Sequence, residues 1–199
     1  EELFSLAAER KLVFHEAAKT AYALAFSRLT LNVKSGMIGT PVSVRATCTS
    51  QAFASPAGSL IGWGPIACLP VFEILGTEYA HASAASLMSR TDGTDVFTKV
   101  DFLYPGAVAS IEVGSGVKSE GELVIAGTKG YIYVPSPWWK TDYFEVRFEN
   151  PQENRRYFFQ LDGEGIRYQI LAFLRAIGNP RHAADSAGVS RDVCLALSR

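Results

Sequence analysis

The apolar residues change period along the chain, and the changes divide it into elements. Leu3, Phe4, Leu6 and Ala7 fall at helical spacing, and Arg10-Lys11 close that segment. Leu12, Val13 and Phe14 follow as a short apolar run, which predicts a strand over 11–15. Between Lys19 and Ser35, residues Ala21, Leu24, Ala25, Leu29, Leu31 and Val33 predict a helix stopped by Gly36. Pro41 to Ser50 alternates, with Val42, Val44 and Ala46 against Ser43, Arg45 and Thr47, the pattern of a half-buried strand. A loop rich in Ser, Ala, Pro and Gly runs through Ser59. Gly64-Pro65 then opens a second helix, with Leu69, Val71, Phe72, Ile74 and Leu75 as its apolar side and Gly76 as its stop. Pro70 either bends that helix or marks its true start.

From Glu78 to Leu161 the period becomes two. Val100, Phe102 and Tyr104 alternate with Lys99, Asp101 and Leu103; Ala107, Ala109, Ile111 and Val113 alternate with Val108, Ser110 and Glu112. Leu123, Ile125 and Tyr131-Val134 flank the turn Gly127-Thr128-Lys129-Gly130, a hairpin signal. Phe144, Val146 and Phe148, then Tyr157, Phe159 and Leu161, repeat the alternation. Two helices close the chain. Ile166, Ile170, Phe173, Leu174 and Ile177 line one, which ends at Gly178-Asn179-Pro180; Val189, Val193, Leu195, Ala196 and Leu197 populate the other. The fold class expected is α+β: an open, mainly antiparallel sheet covered on one face by helices. It is preceded by what reads as the last helix and strand of a Rossmann-like unit. The expected division is 1–15, a remnant of a nucleotide-binding domain, and 16–199, a substrate-binding and oligomerisation domain. The chain opens at Glu1 already within a helical pattern, so a fragment is the reading.

Composition narrows the function classes. Nineteen basic against twenty acidic residues leave a net charge of -1, which argues against a nucleic-acid or polybasic membrane surface. No stretch approaches the length of a membrane helix and no basic-then-apolar leader pattern is present, so a cytoplasmic protein is expected. Cys48, Cys68 and Cys194 are far apart, odd in number and without a CxxC spacing; they read as small buried hydrophobes in a reducing compartment.

Several strings invite a chemical reading. Gly114-Ser115-Gly116 and Gly121 lack the Lys-Ser/Thr spacing and the strand-to-helix context of a phosphate loop, and read as a β-turn loop. His15, His81 and His182 hold no metal-ligand spacing, and no GxSxG elbow exists. Trp138-Trp139-Lys140, after Pro135 and Pro137, is the most unusual tract. Its paired indoles can stack on a sugar ring or bury an interface, or they can simply cover the sheet.

The order of elements carries a family resemblance. The string VFHEAAKTAYALAFSRL followed by MIGTPVSV resembles the domain junction of the Gfo/Idh/MocA oxidoreductases. GSLIGWGPIACLPVFEILG is similar to that family's Gly-rich segment leading into a helix. VKSEGELVIAGTKGYIYVPSPWWK and GEGIRYQILAFLRAI resemble the hairpin and late helix of its second domain. The resemblance covers nearly the whole chain. It implies the C-terminal half of an NAD- or NADP-dependent dehydrogenase acting on a carbohydrate or polyol-like substrate. The family's GxGxxG and EKP strings would lie before Glu1, so no cofactor is expected to bind this chain alone. The family's active-site pattern of Asp, Gly two positions on and His four positions on reads here Gly62, Gly64 and Ile66. Ile66 transfers no proton, so either other groups serve or the protein is a non-catalytic relative that binds a ligand or partner.

Lys19 and Glu16 are the nearest ionisable candidates, Lys19 as the catalytic one, or else a charge pair on a solvated helix start. The substrate site expected from the resemblance joins Glu16, Lys19 and Tyr22 to the helix start at Trp63, Gly64 and Pro65. There Trp63 offers a face to a sugar ring, or else belongs to the core. Val108, Leu103 and Phe158 lie on the opposite face of the sheet, which predicts a homodimer or homotetramer through that face, with Trp138 and Trp139 near its rim or a neighbouring pocket.

Overall fold

A computed structural model describes residues 2–14, 18–52 and 55–178. Helix α1 spans Glu2–Glu9 and buries none of its residues. No strand follows at Leu12–Phe14. The Leu12 N–H instead bonds back to the Ala7 carbonyl (2.8 Å), and the Phe14 ring meets Phe4 edge-on at 4.9 Å. A strand needs a neighbour for its backbone groups, and the described residues offer none here, so the apolar run folds onto the helix before it.

The helix expected over 19–35 is two helices, α2 Lys19–Tyr22 and α3 Leu24–Lys34. They part at Ala23, whose backbone is extended (ψ 135°). Gly36, with φ 78°, follows the end of α3. Helix α4 runs Ser59–Leu75 and keeps both Pro65 and Pro70 inside it. It starts at Ser59, one turn and more before Gly64-Pro65, because a distant residue caps it. The Asp95 carboxylate accepts from the Ser59 hydroxyl at 2.7 Å and from the Leu60 N–H at 2.8 Å. Burial raises the Asp95 carboxyl, but the bonds from Ser59, Thr98 and the Leu60 N–H outweigh it and hold the group below its ordinary value.

The strands are β1 Pro41–Ser50, β2 His81–Met88, β3 Asp95–Leu103, β4 Val108–Ser115, β5 Leu123–Gly127, β6 Gly130–Val134, β7 Tyr143–Phe148 and β8 Arg155–Phe158. They form one sheet in the order β2-β3-β4-β1-β5-β6-β7-β8. Among the described residues only the β1–β4 pair is parallel. Strand β2 had no separate signal in the sequence: its Ala/Ser-rich residues are all exposed, on an edge, so no apolar face marks it.

Helices α3 and α4 cover one face. Val44, Cys48, Ile111, Ile125, Ile132 and Phe144 are wholly buried beneath them or beside them. Cys48 and Cys68 are free and buried, as small hydrophobes, while Cys194 lies outside the described residues. Burial pushes the Cys68 thiol up to about 12, so it is not a nucleophile at neutral pH. The last described helix, α5 Ile166–Gly178, follows a tight turn at 162–165. The helix expected around Val189–Leu197 lies outside the described residues. No described helix is long and apolar enough to cross a membrane.

Candidate functional site

The sequence offered a junction around Lys19 and a second place around Trp63, and the fold joins them through the tryptophan tract. Trp138–Lys140 forms a short 3-10 turn after β6. Its Trp138 has no exposed surface: the indole N–H donates to the Thr47 carbonyl at 3.2 Å and the ring packs on Phe26. Trp138 therefore lies on the helix-covered side, which corrects the expectation that it stands near the rim of an open-face interface or in a pocket neighbouring it. The reason is the turn itself, which folds back across the covered face and drives the ring between β1 and α3.

Trp139 is the link. Its carbonyl accepts from the Thr20 hydroxyl of α2 at 3.1 Å. Its ring lies 5.1 Å from that of Trp63 on α4, tilted by 57°. Gly121 permits this packing: a Cβ there would come within 2.9 Å of the Trp139 ring. Trp63 is partly buried against the core, and its indole Nε1 is buried without a hydrogen-bond partner. The Trp139 indole thus occupies part of the space beside the Trp63 ring.

Lys19 is neither free nor fully solvated. Its ammonium donates to the Glu164 carboxylate, and Lys140 holds the other oxygen of the same group at 2.9 Å. The lysines, Lys19 first, hold the Glu164 carboxyl below its ordinary value. Two cations on one carboxylate leave the cluster with a net positive charge, suited to a hydroxyl oxygen or an anionic group. Periodicity does not mark Glu164 as a site residue, because its partner Lys19 is 145 positions away. The one local signal was Gly163-Glu164-Gly165, an acid between two glycines. All three residues take positive φ, at 57°, 52° and 91°. Gly165 sits so close to α2 that a Cβ would lie 2.3 Å from the Lys19 carbonyl oxygen.

The remaining candidates separate. Glu16 lies outside the described residues. Tyr22 ends α2, half-buried. Gly64 and Pro65 lie inside α4, not at its start, so their backbone cannot present the free N–H groups of a helix N-terminus. Gly62 is also helical, its N–H bonded to the Gly58 carbonyl at 3.1 Å, and Ile66 packs against the core. The start of α4 does not fit a dinucleotide phosphate. The Gly-rich start of α4 is filled by the Asp95 carboxylate, where a pyrophosphate would need bare N–H groups. Gly114 and Ser115 belong to β4, with Gly116 in the loop after it.

On the other face of the sheet, a depression of about 470 Å3 is lined by residues including Arg45, His81, Asp101, Leu103 and Val108. It shares no lining residue with the Lys19 cluster. On the same face, Glu145 is covered by Tyr143, Arg147 and Arg156, with Arg147 Nε at 2.6 Å and Arg156 Nε at 3.4 Å. Arg147 also lies over the Tyr133 ring at 4.6 Å.

No protein-family model matches the sequence, and no curated protein sequence matches it. Solved structures do. The chain is similar to a variant of KijD10, a 3-ketoreductase from Actinomadura kijaniata, in complex with TDP-benzene and NADP. The TM-score is 0.83 at 16% identity, over 99% of this chain and 63% of that one. The same enzyme with NADP alone gives a TM-score of 0.80 at 16% identity, over 96% and 61%. The UDP-N-acetylglucosamine 3-dehydrogenase GnnA from Acidithiobacillus ferrooxidans gives 0.73 at 18% identity, over 98% and 63%. The chain thus spans less than two thirds of the length of these proteins. Its α+β fold is shared with these enzymes over 96–99% of its length.

Proposed function

We propose that the chain is the substrate-binding and oligomerisation part of an NAD(P)-dependent oxidoreductase acting on a sugar nucleotide. The observation that carries this reading is the fold, shared over 99% of the chain with a 3-ketoreductase in complex with NADP and TDP-benzene. The convergence of α2, the Trp138–Lys140 turn and α4 supports placing the substrate beside Lys19. In this reading residues 1–15 belong to a nucleotide-binding domain that supplies the cofactor site. A nicotinamide cofactor bound there would give the hydride to the substrate or take it from it. This chain holds the sugar: the Lys19 ammonium donates to a substrate hydroxyl or developing oxyanion, with Tyr22 and Trp63 beside it and Glu16 completing the junction. The protein acts in the cytoplasm and pairs with copies of itself through the open sheet face.

The test is an assay of the full-length protein with TDP- and UDP-linked sugars, following NAD(P)H absorbance. Turnover with a sugar nucleotide is expected, and Lys19→Ala should reduce it at least about tenfold while leaving the melting temperature nearly unchanged. Full activity in Lys19→Ala would move the chemistry elsewhere. The chain of 199 residues by itself should bind neither NAD(H) nor NADP(H) with sub-millimolar affinity in a calorimetric titration.

A specific observation favours a second reading. Ile66 stands where the family pattern has its histidine and packs against the core, so the usual proton-transfer group is replaced by an apolar contact. A non-catalytic relative that binds a ligand or partner is the consequence. Retained sugar-nucleotide binding with no turnover on any tested sugar would select it.

A further inference from the structure

We propose that Glu164 is a positioning residue for the candidate site, holding the Lys19 ammonium at the orientation from which it meets the substrate. The inference rests on the reading of Lys19 given above and adds a residue to it. An exposed ion pair by itself is weak evidence, because two flexible side chains gain little by meeting in water. Glu164 differs from such a pair in three ways. Its carboxylate is shared by Lys19 from α2 and Lys140 from the tryptophan turn, so one group ties together two elements distant in sequence. Its backbone is left-handed at φ 52°, an uncommon conformation for a non-glycine residue, between two glycines that take positive φ as well. And the loop is seated on α2 itself, with Gly165 against the Lys19 carbonyl and the Ala23 N–H, leaving no room for a side chain. The carboxylate is therefore delivered to Lys19 from a fixed backbone, with α5 starting at the next residue, Ile166.

The physical consequence is pre-organisation. A lysine on a four-carbon stem samples many rotamers, whereas one held by a fixed carboxylate presents its remaining N–H donors in one direction. Lys140 takes the second carboxylate oxygen and keeps the Glu164 head from turning away. Misplacement of a substrate-holding group by a fraction of its reach costs rate without removing the group itself.

The experiment is a double-mutant comparison in the full-length protein, with UDP- and TDP-linked sugars as probes. Glu164→Gln, which keeps shape and removes charge, should lower kcat/KM on the order of tenfold. Glu164→Asp, which keeps the charge on a shorter arm, should recover part of that loss. In a Lys19→Ala background, Glu164→Gln should add less than about twofold, because a residue acting through Lys19 has nothing left to position. An equal loss on both backgrounds would mean a structural role and overturn the proposal. So would wild-type kcat/KM in Glu164→Gln while Lys19→Ala is impaired, and that outcome leaves the reading of Lys19 intact. Full activity in Lys19→Ala overturns that reading and this proposal together. Should Glu164→Gln fail to fold, the same comparison with Glu164→Asp decides, its partial loss being expected on the wild-type background and absent on Lys19→Ala.

Discussion

The two faces of the single sheet solve opposite problems with the same strands. On the covered face, β1 offers Val44, Ala46 and Cys48, each with no exposed surface, and β4 offers Ile111 and Val113 in register with them. On the open face, the neighbouring positions of the same strands are Ser43, Arg45, Val108 and Ser110. Side chains alternate across a strand, so one strand pair contributes to a dry interior and to a mixed, solvated surface at once. The covered face is held by apolar burial. The open face is organised by charge and aromatic contact, as in the Arg147 stack on Tyr133 and the two guanidiniums on Glu145. Glu145 is nearly out of water although it lies on that face, because flat neighbours cover it rather than depth. Burial raises its carboxyl, and the bonds from Tyr143 and Arg147 with the nearby guanidinium charges bring it below its ordinary value. The lesson is that the first face holds the domain together by burial, while the second stays exposed and is ordered by charge and aromatic contact.

The contrast breaks most sharply at the aromatics. Trp138→Ala, on the covered side, should cost about 3–5 kcal/mol in chemical denaturation, since it leaves a large cavity beside Phe26 and orphans the Thr47 carbonyl. Phe158→Ala, with the ring 73% exposed on the open side, should stay within about 0.5 kcal/mol of the parent. A Trp138→Ala variant as stable as Phe158→Ala would erase the distinction between the faces.

Association comes next in size. Leu103 and Val108 are each 51% exposed and paired across β3 and β4. If copies meet on this face, replacing both with Arg should raise the dimer dissociation constant at least about a hundredfold, or about 2.7 kcal/mol, with the melting temperature of the dilute protein unchanged. Light scattering that finds the parent protein monomeric at high concentration removes the open-face assembly altogether.

Asp95 sharpens the covered face from its edge. Asp95→Ala should lower stability by about 1–2 kcal/mol through loss of the α4 cap. The folded-state carboxyl is held below its ordinary value. Its stabilisation is therefore full above that ordinary value, near pH 4, and fades as pH falls through the folded value. The difference between parent and variant should shrink on acidification in that window, as read by thermal melts from pH 6 downwards. A difference independent of pH would mean that Asp95 acts by packing and not as a charged cap. The smallest effect belongs to Arg147→Ala, expected below about 1 kcal/mol because Arg156 and Tyr143 still hold the Glu145 carboxylate when Arg147 is gone. A loss as large as that of Trp138→Ala would mean the open face carries the fold after all.

The sequence determined by itself whatever rests on local periodicity and turn chemistry. Strand β1 at Pro41–Ser50, the β5–β6 hairpin around its Gly-Thr-Lys-Gly turn, α1, α5 and the α+β class were legible because each element's apolar period and stop signal lie within a few residues of one another. The string resemblance placed the fold. What the tertiary structure alone decided involves partners far apart in the chain. The start of α4 was set by Asp95, and α2 parted from α3 at Ala23, beside which Gly165 leaves no room for a side chain. Strand β2 exists through its pairing with β3, since an exposed Ala/Ser edge carries no apolar alternation. Leu12–Phe14 remained outside any sheet because an apolar run specifies burial and not a neighbour. Lys19, Trp63 and the tryptophan tract could each be singled out from the sequence, but not the Trp139 bridge between them, nor the Glu164 clamp on Lys19. Hydrogen bonds and ion pairs are formed between side chains that the fold brings within about 3 Å, and a spacing of 145 residues leaves no local trace of that proximity.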